Sequence, residues 1–419
     1  MRSAVITGLG FITSIGNDRA AVTESLRVGR TGLEPVLFLG NPRLPVRLIG
    51  SVKEFVTDSV SWRDWRYPAR YELSREALRS VSPHGLYALC AVEQALADGQ
   101  LPATELCDGA TGLFCASAGS AFLMHHHLAQ MHAIQGERGN PLGVISAIAG
   151  TLNFNLAAHY GIRGAVGGFA AACASSSHAL GCAIDEIRLG RQERMLVVGA
   201  EEVNAETVLP FAAMRALSAQ SDPALASRPF DSGRDGFVAA GGAVCILIEE
   251  RSSAQARGVP IYAELRGWGQ AADGYSVAMP HPDGTGLIDS MRRALADSGV
   301  TPAQIGYINA HATSTPAGDR SEALALRSMF ATGGLAPPVS STKGLTGHPL
   351  SMSGLMEIAF CAVALNEGFI PGNPHLVDPD PVCAGLNLPR ETLAERPEFI
   401  LKNSSGFGGS NVSLVISRP

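Results

Sequence analysis

The sequence predicts a mixed α/β protein built from two copies of one α/β unit. A helix ending at Ala95–Asp98 leads to the strand-like Thr111–Cys115, and a helix ending at Ala294–Asp297 leads to the strand-like Ile305–Ile308. Further along each half, a turn rich in small residues precedes a helix, over 174–189 and over 351–366. Such self-similarity favours an internal duplication, although any α/β protein repeats its strand–helix order.

The remaining elements complete the two units. The chain opens with the β-prone Ala4–Thr7, turns at Gly8 and Gly10, and enters a helix capped by Asn17 or Asp18 that ends at Gly29. An apolar strand over 243–248 would close the first unit, and a strand over 412–416 the second. We therefore predict an N-terminal half over 1–250 and a C-terminal half over 251–419.

Composition and charge exclude several classes of protein. Hydrophobic residues make up 46% of the 419 residues, which suits large buried cores and not disorder. The formal net charge of −6 does not suit a nucleic-acid-binding protein. The longest apolar stretch, 143–162, contains Asn153, Asn155 and His159, so it predicts a buried helix and no membrane span. Eight cysteines without paired spacing, and no secretory signal, favour a cytoplasmic protein with reduced thiols.

Cys173 is the candidate nucleophile. It follows the small residues Gly167–Ala172 and precedes an apolar helix. A thiol at a helix N-terminus faces unpaired N–H groups and the positive end of the helix dipole, which predicts a lowered thiol pKa. The same N–H groups would hold an oxyanion formed by attack on a thioester. A small cysteine that only fills a tight turn is the alternative.

Two histidines occupy similar positions in the second unit. His311 follows the strand-like Tyr307–Ala310, and His348 follows the loop Lys343–Gly347. A strand end that delivers an imidazole into a loop of small residues is typical of a site. A hydrogen-bonded core histidine is the alternative for either one alone.

Three other motifs give only weak indications of a function. The Gly8-x-Gly10 pair lacks the third glycine of a dinucleotide loop, and adjacent histidines at 125–127 point in different directions on a helix, which does not favour a metal site. Arg75 and Arg79 lie in an arginine-rich stretch that is either a solvated face or a docking site for an acidic partner.

Taken together, the motifs resemble the elongating, two-histidine β-ketoacyl-acyl-carrier-protein synthases over nearly the whole chain. The resemblance rests on six segments in the family's order: residues 5–10, the Cys173 turn, 228–238, the His311 segment, the Lys343–His348 segment and the loop Gly406–Asn411. It implies a thiolase-type fold, with two α/β units in a five-layered α-β-α-β-α arrangement.

The resemblance also implies a role for individual residues. Cys173 would carry the acyl group, and His311 and His348 would promote decarboxylation of a malonyl thioester and stabilise the enolate. Lys343, with Glu357 and Asp319, would support this cluster. The remaining implied contacts are the pantetheine arm at Thr313 and Thr315, the gating aromatic Phe407, an oxyanion hole from the N–H groups of Cys173 and Phe407, and carrier docking at Arg75 and Arg79.

The implied reaction is the condensation of an acyl group on Cys173 with malonyl-acyl-carrier protein, in fatty acid or polyketide biosynthesis. It needs no cofactor and no metal. The implied partners are an acyl carrier protein bearing phosphopantetheine-linked acyl and malonyl groups, and a second subunit, either a copy of this chain or a paralogue. The alternative is a non-catalytic partner of a ketosynthase, like the chain-length factors, which lack the nucleophile.

The sequence departs from the family's usual pattern near the site. Ser405 stands where Phe is common, Ala312 replaces a usual Gly, and the residues after His348 are Pro-Leu-Ser-Met-Ser, with Met352 among them. Because Ser405 and Met352 could reshape the acyl pocket, we hypothesise an unusual acyl chain, such as a polyene or polyketide.

Overall fold

The computed structural model describes residues 2–39, 41, 43–331 and 336–419. In chain order its strands are β1 Ala4–Ile12, β2 Glu34–Pro35, β3 Leu48–Ile49, β4 Thr111–Ala116, β5 Val166–Phe169, β6 Arg194–Glu201, β7 Gly242–Glu250, β8 Ala263–Ala272, β9 Ile305–Asn309, β10 Val339–Ser340, β11 Phe399–Gly406 and β12 Ser410–Ser417. Its α-helices are α1 Arg19–Val28, α2 Arg75–Leu78, α3 Pro83–Asp98, α4 Ala121–Ala133, α5 Gly143–Ala147, α6 Thr151–Tyr160, α7 Ser175–Arg188, α8 Ala205–Ala213, α9 Pro223–Ala226, α10 Arg251–Arg257, α11 Thr285–Ser298, α12 Pro316–Phe330, α13 Lys343–Thr346 and α14 Ser353–Glu367.

The strand order confirms the predicted duplication. The first unit has the order β1-β7-β6-β4-β5 and the second has β8-β12-β11-β9-β10, so each places its strands as first, fifth, fourth, second and third. The directions also agree, because in each unit the first three strands are antiparallel neighbours and the last three are parallel neighbours.

The two half-sheets join through β1 and β8. These strands pair at Ala4, Val5 and Ile6, so the described strands of both units form one continuous ten-stranded sheet. Strand β7 ends at Glu250 and α10 begins at the next residue. The division into halves at residue 250 stays a prediction.

The helices cover both faces of each half-sheet. On β6, Val197 points into the core that contains α7 and α14, whereas Leu196 and Val198 point into the core that contains α3. On β12 and β11, Leu414 faces the α7–α14 core, and Leu401 faces a third core that contains α11 and α12. The layers are therefore helix, sheet, helix, sheet, helix, as the thiolase-type fold requires.

Helix α14 is the centre of the molecule. Its residues from Ser353 to Leu365 are all buried, and it packs against α7 and strands of both units. The segment Leu350–Glu367 has the length and apolar character of a membrane-spanning helix, but 83% of it is buried inside the protein. A helix that is apolar on all sides and enclosed in this way is a core helix.

The structure corrects two sequence-based expectations about elements. Gly8 and Gly10 do not turn the chain. Both lie within strand β1. Glycine is required at residue 10 because a Cβ there would come within 1.9 Å of the Ala91 carbonyl oxygen on α3. The stretch 143–162 is two short helices, α5 and α6, and not one buried helix, since Val144 and Phe154 are exposed.

Candidate active site

Cys173 lies in a strained turn between β5 and α7. Ala172, just before it, has φ +47°, a left-handed conformation that is uncommon for a residue with a Cβ. Ser175 holds the turn, because its hydroxyl donates to the Ala172 carbonyl at 2.6 Å and accepts from the Ala171 N–H at 2.8 Å. Helix α7 begins at Ser175, so the thiol is at a helix N-terminus, as predicted.

The closing glycine loop lies against this turn. A Cβ on Gly406 would come within 3.1 Å of the Cys173 nitrogen and 2.6 Å of the Ala171 carbonyl oxygen. Only glycine permits that approach. The loop that carries Phe407 therefore reaches the backbone N–H of the thiol residue.

The structure brings Cys173 together with both predicted histidines. The Nε2 atom of His348 is 3.0 Å from the Sγ atom of Cys173, and the rings of His348 and His311 are 5.4 Å apart in an edge-to-face arrangement. One ligand atom of each residue lies within 4.8 Å of the others, as in a metal site. However, the sulfur of a thiolate and the nitrogen of an imidazole that both bind one tetrahedral zinc ion would be about 3.5 Å apart. The 3.0 Å distance between Cys173 Sγ and His348 Nε2 therefore fits a hydrogen bond better.

The thiol pKa differs from the sequence-based expectation. Burial raises the pKa of Cys173 to about 12, although the Lys343 ammonium and the backbone N–H of Cys173 itself act in the other direction. Desolvation opposes the charged form of any group, and here it outweighs the position at the helix N-terminus. The nucleophile therefore rests as a thiol beside His348.

Both imidazoles are held in the neutral form. Burial lowers the pKa of His311 and of His348 well below the ordinary value, and the nearby Lys343 and Lys402 ammonium groups lower it further. A neutral imidazole can accept the thiol proton or donate one hydrogen bond to a substrate oxygen.

A buried ion cluster lies behind the imidazoles. Lys343 donates to the His311 carbonyl at 2.6 Å and pairs with Glu357. Glu357 also pairs with Lys402 at 2.8 Å, and the side chains of all three residues in this ion pair network are fully buried. Lys343 and Glu357 were expected from the family resemblance, whereas Lys402 was not.

Two further carboxylates support the loop that follows His311. Glu322 accepts from the His311 N–H at 3.0 Å and from the Ala312 N–H at 2.7 Å. Asp319 accepts from the Phe230 N–H at 2.9 Å, and burial raises its pKa to about 7. Asp319 thus supports the backbone of the site, and Glu322 is a functional candidate that the sequence did not indicate.

A cavity of about 350 Å³ leads from the surface to Cys173. The Thr313 and Thr315 hydroxyls are 3.0 Å apart at its wall. Phe407 is 42% exposed, and its ring lies 6.3 Å from that of Phe211. Residues of the predicted site and several others line the cavity: Cys173, Phe211, Met214, Phe237, His311, Thr313, Thr315, His348, Ser405 and Phe407.

The two unusual residues near the site have different surroundings. Ser405 lines the cavity and donates to the Asn411 side-chain oxygen at 2.7 Å. Met352 is fully buried, and its Cβ would lie 2.9 Å from a Cβ on Gly199. Ser405 is therefore the one placed to change the shape of the cavity.

Two other predicted features lie outside this cluster. Arg75 and Arg79 are exposed and, with Arg63 and Trp62, line a separate surface pocket. The Nδ1 atom of His125 lies 3.2 Å from a carboxylate oxygen of Glu206. One exposed imidazole and one carboxylate do not complete a metal site.

The duplicated fold and the half-buried thiol with two imidazoles define a thiolase-type condensing enzyme. The model of the β-ketoacyl synthase N-terminal domain matches residues 1–254, and that of the C-terminal domain matches residues 262–377. The chain belongs to the β-ketoacyl synthase family.

Individual relatives cover the whole chain. The 3-oxoacyl-[acyl-carrier-protein] synthase 1 of Haemophilus influenzae is 35% identical, over 100% of this chain and 99% of its own length. A β-ketoacyl synthase structure from Burkholderia phymatum superposes with a TM-score of 0.90 at 31% identity, covering 100% of both chains. A type II polyketide synthase ketosynthase in complex with its acyl-carrier protein, AntDE:AntF, has a TM-score of 0.87 at 25% identity, covering 100% of this chain and 99% of the other.

Proposed function

We propose that this protein condenses an acyl group carried on Cys173 with a malonyl group carried on an acyl carrier protein, with loss of CO2. The observation that carries the proposal is the 3.0 Å contact between Cys173 Sγ and His348 Nε2 beside His311, at the inner end of a cavity. Family membership and the named activities of the relatives support it.

The first step is acyl transfer. The thiol attacks the thioester carbonyl of the acyl carrier, and its proton passes to His348 as the new S–C bond forms. Because the thiol pKa is about 12, attack and proton transfer must occur together. The N–H groups of Cys173 and Phe407 would bind the oxyanion until the carrier thiolate leaves and takes up the proton.

The second step is loss of CO2 from the malonyl group. The bond between the α-carbon and the carboxylate breaks, and its electron pair remains on the thioester as an enolate. Neutral His311 and His348 donate hydrogen bonds to the oxygen where this charge develops. Lys343 fixes the His311 backbone through its 2.6 Å bond to the carbonyl.

The third step is carbon–carbon bond formation. The enolate carbon attacks the acyl carbonyl on Cys173, and the Cys173 thiolate leaves, which gives a β-ketoacyl group on the carrier. The thiolate then takes up one proton from solvent, which restores the resting thiol. None of the three steps transfers electrons to or from an external donor or acceptor, so the chemistry requires no redox cofactor.

Mass spectrometry of the purified protein tests the proposal. With an acyl carrier substrate, we expect one acyl group to appear on the peptide that contains Cys173. Adding malonyl-acyl-carrier protein should then remove it and give β-ketoacyl-carrier and CO2. An unmodified Cys173 under conditions in which a known ketosynthase is acylated would favour the non-catalytic partner instead.

A panel of saturated, polyene and aryl acyl groups in this assay would also test the hypothesis of an unusual acyl chain.

The same assay tests carrier docking at the arginine surface of Arg63, Arg75 and Arg79. A carrier protein with an acidic face would bind this exposed cationic surface. Within the surface, the Cζ atom of Arg63 lies 5.0 Å from the centre of the Trp62 ring. Charge reversal of Arg75 and Arg79 to Glu should raise the KM for the carrier substrate about tenfold. Reversal of Arg191 and Arg292, whose side chains are 61% and 63% exposed, is the matched control. Equal KM values in both variants would reject the docking site.

We further propose that the second subunit is another copy of this chain. Strand β5 is an edge of the described sheet, and its four residues carry no charge that would protect that edge. It adjoins an exposed apolar surface on the α4–α6 helices: Leu128, Met131, Ile134, Val144, Ile145 and Phe154. Burying this surface against a copy would explain its apolar character.

Light scattering with size-exclusion chromatography should give a mass twice 43.7 kDa for the chain purified alone. Replacing Phe154 with Glu should give monomers, because it places a charge in the apolar surface. Replacing Leu189 with Glu, an exposed apolar residue outside it, should not. A monomeric wild type would instead favour a paralogue as the partner.

We also propose that the protein works in the cytoplasm. All eight cysteines are free thiols, and five of them are buried in the cores described above. Free thiols are the usual state in a reducing compartment.

A further inference from the structure

Lys402 is a buried cation that neither the motifs nor the mechanism above assigns. It lies on β11, and 0% of its surface is exposed. Its ammonium donates to the Ser404 hydroxyl at 2.5 Å and to the Asn403 carbonyl, and it pairs with Glu357 at 2.8 Å. Burying a second ammonium costs several kcal/mol unless neighbouring charges compensate for it, so its presence needs a reason.

The charges around Lys402 balance. Lys343 and Lys402 supply two positive charges, and Glu357 and Glu322 supply two negative ones. Glu357 bridges the two ammonium groups. Glu322 is linked to the same strand, because the side chain of Asn403 donates to it at 3.2 Å. Without Lys402, two buried carboxylates would face one ammonium.

The balance matters because the cluster lies directly behind the imidazoles. Glu322 accepts from the backbone N–H of His311, and Lys343 donates to its carbonyl. Lys402 lowers the pKa of both His311 and His348 by charge repulsion. Several other titratable groups surround this cluster. They come from helices α12, α13 and α14, from strand β9 and from the active-site loops: Glu322, Lys343, Glu357, Cys361, Tyr307, His311, His348 and Cys173.

We propose that Lys402 is a positioning residue for decarboxylation. It supplies the second positive charge that compensates the carboxylates of Glu357 and Glu322. These carboxylates lie behind the imidazoles of His311 and His348. This inference rests on the proposed function, since it concerns the malonyl step of that reaction. A neutral imidazole binds the thioester oxygen and leaves the malonyl carboxylate free to depart. A protonated imidazole would pair with that carboxylate and hold it in the ground state.

The sign of the effect follows from the charges. Removing the positive charge in Lys402→Met makes protonation of the imidazoles easier, so the acid limb of the pH profile for CO2 release should move upward by about one pH unit. Glu322→Gln removes a negative charge with Lys402 in place, so its acid limb should move downward. The double variant should return to the wild-type position.

The experiment measures CO2 release from malonyl-acyl-carrier protein against pH for these three variants and the wild type, with acylation of Cys173 followed by mass spectrometry. In Lys402→Met we expect CO2 release below the wild-type optimum to fall about tenfold. Acylation measured at the wild-type optimum, where both imidazoles stay neutral, should remain within about twofold of wild type. Lys402→Arg keeps the charge and should keep the wild-type acid limb. The Glu322→Gln arm remains informative if Lys402→Met does not fold.

Opposite shifts in the two single variants would support the role of Lys402. Superimposed profiles, or equal losses of acylation and CO2 release in Lys402→Met at the wild-type optimum, would overturn it and leave only a structural role. A wild type that releases no CO2 and forms no acyl-Cys173 would overturn the proposed function itself, which is a separate outcome.

Discussion

Replacing Cys173 with alanine should lower the rate of condensation by on the order of 10⁴-fold or more, because the acyl group then has no attachment point. The loss should be confined to acyl transfer and bond formation. His311, His348 and Lys343 are untouched, so CO2 release from malonyl-acyl-carrier protein should continue. Separate assays of acyl-enzyme formation, CO2 release and β-ketoacyl product would measure the three steps.

Cys182→Ala is the matched control for this variant. Cys182 lies on helix α7, which follows the Cys173 turn, and is only half-buried. Its removal should leave all three steps near the wild-type rate. If Cys173→Ala still formed β-ketoacyl product at an appreciable rate, Cys173 would not be the acyl carrier residue, and the proposed mechanism would be wrong.

Replacing His311 with alanine should affect the other half of the reaction. His311 does not make the 3.0 Å contact to the thiol, which belongs to His348. We therefore expect acylation of Cys173 to survive, while CO2 release falls by about 10² to 10³-fold, the usual cost of removing one donor to a developing oxyanion. The measurement is acyl-enzyme formation by mass spectrometry beside CO2 release.

His348→Ala should reduce both steps, because its imidazole both contacts the thiol and faces the enolate. His159→Ala, which removes an exposed imidazole on α6, controls for unspecific loss. Equal effects of His311→Ala and His348→Ala on acylation would contradict the division of roles that the distances indicate.

The sequence predicted the residues that stand in recognisable turns. Cys173, His311 and His348 each follow a strand or a small-residue loop, and the structure brings all three together. The duplication was also predictable, because the two units repeat the same order of strands and helices. Local pattern is sufficient for such features, since each is encoded within a short segment.

Features that depend on distant packing were not predicted. The thiol pKa was expected to fall because of the helix N-terminus, but burial raises it, and burial depends on the whole fold. Gly8 and Gly10 suggested a turn, whereas their purpose is to admit α3 against β1. One feature of the sequence could have indicated a role for Lys402. It is a single cation directly after the apolar residues Ile400 and Leu401 of strand β11.

The matching strand order has a consequence for how catalysis is divided. Cys173 lies between the third strand and the following central helix of the first unit, and His348 lies at the corresponding place in the second. Topologically equivalent positions thus hold sulfur in one half and nitrogen in the other. Neither half alone contains the pair, so the chemistry depends on two corresponding loops with different side chains, which the packing of α7 against α14 brings face to face.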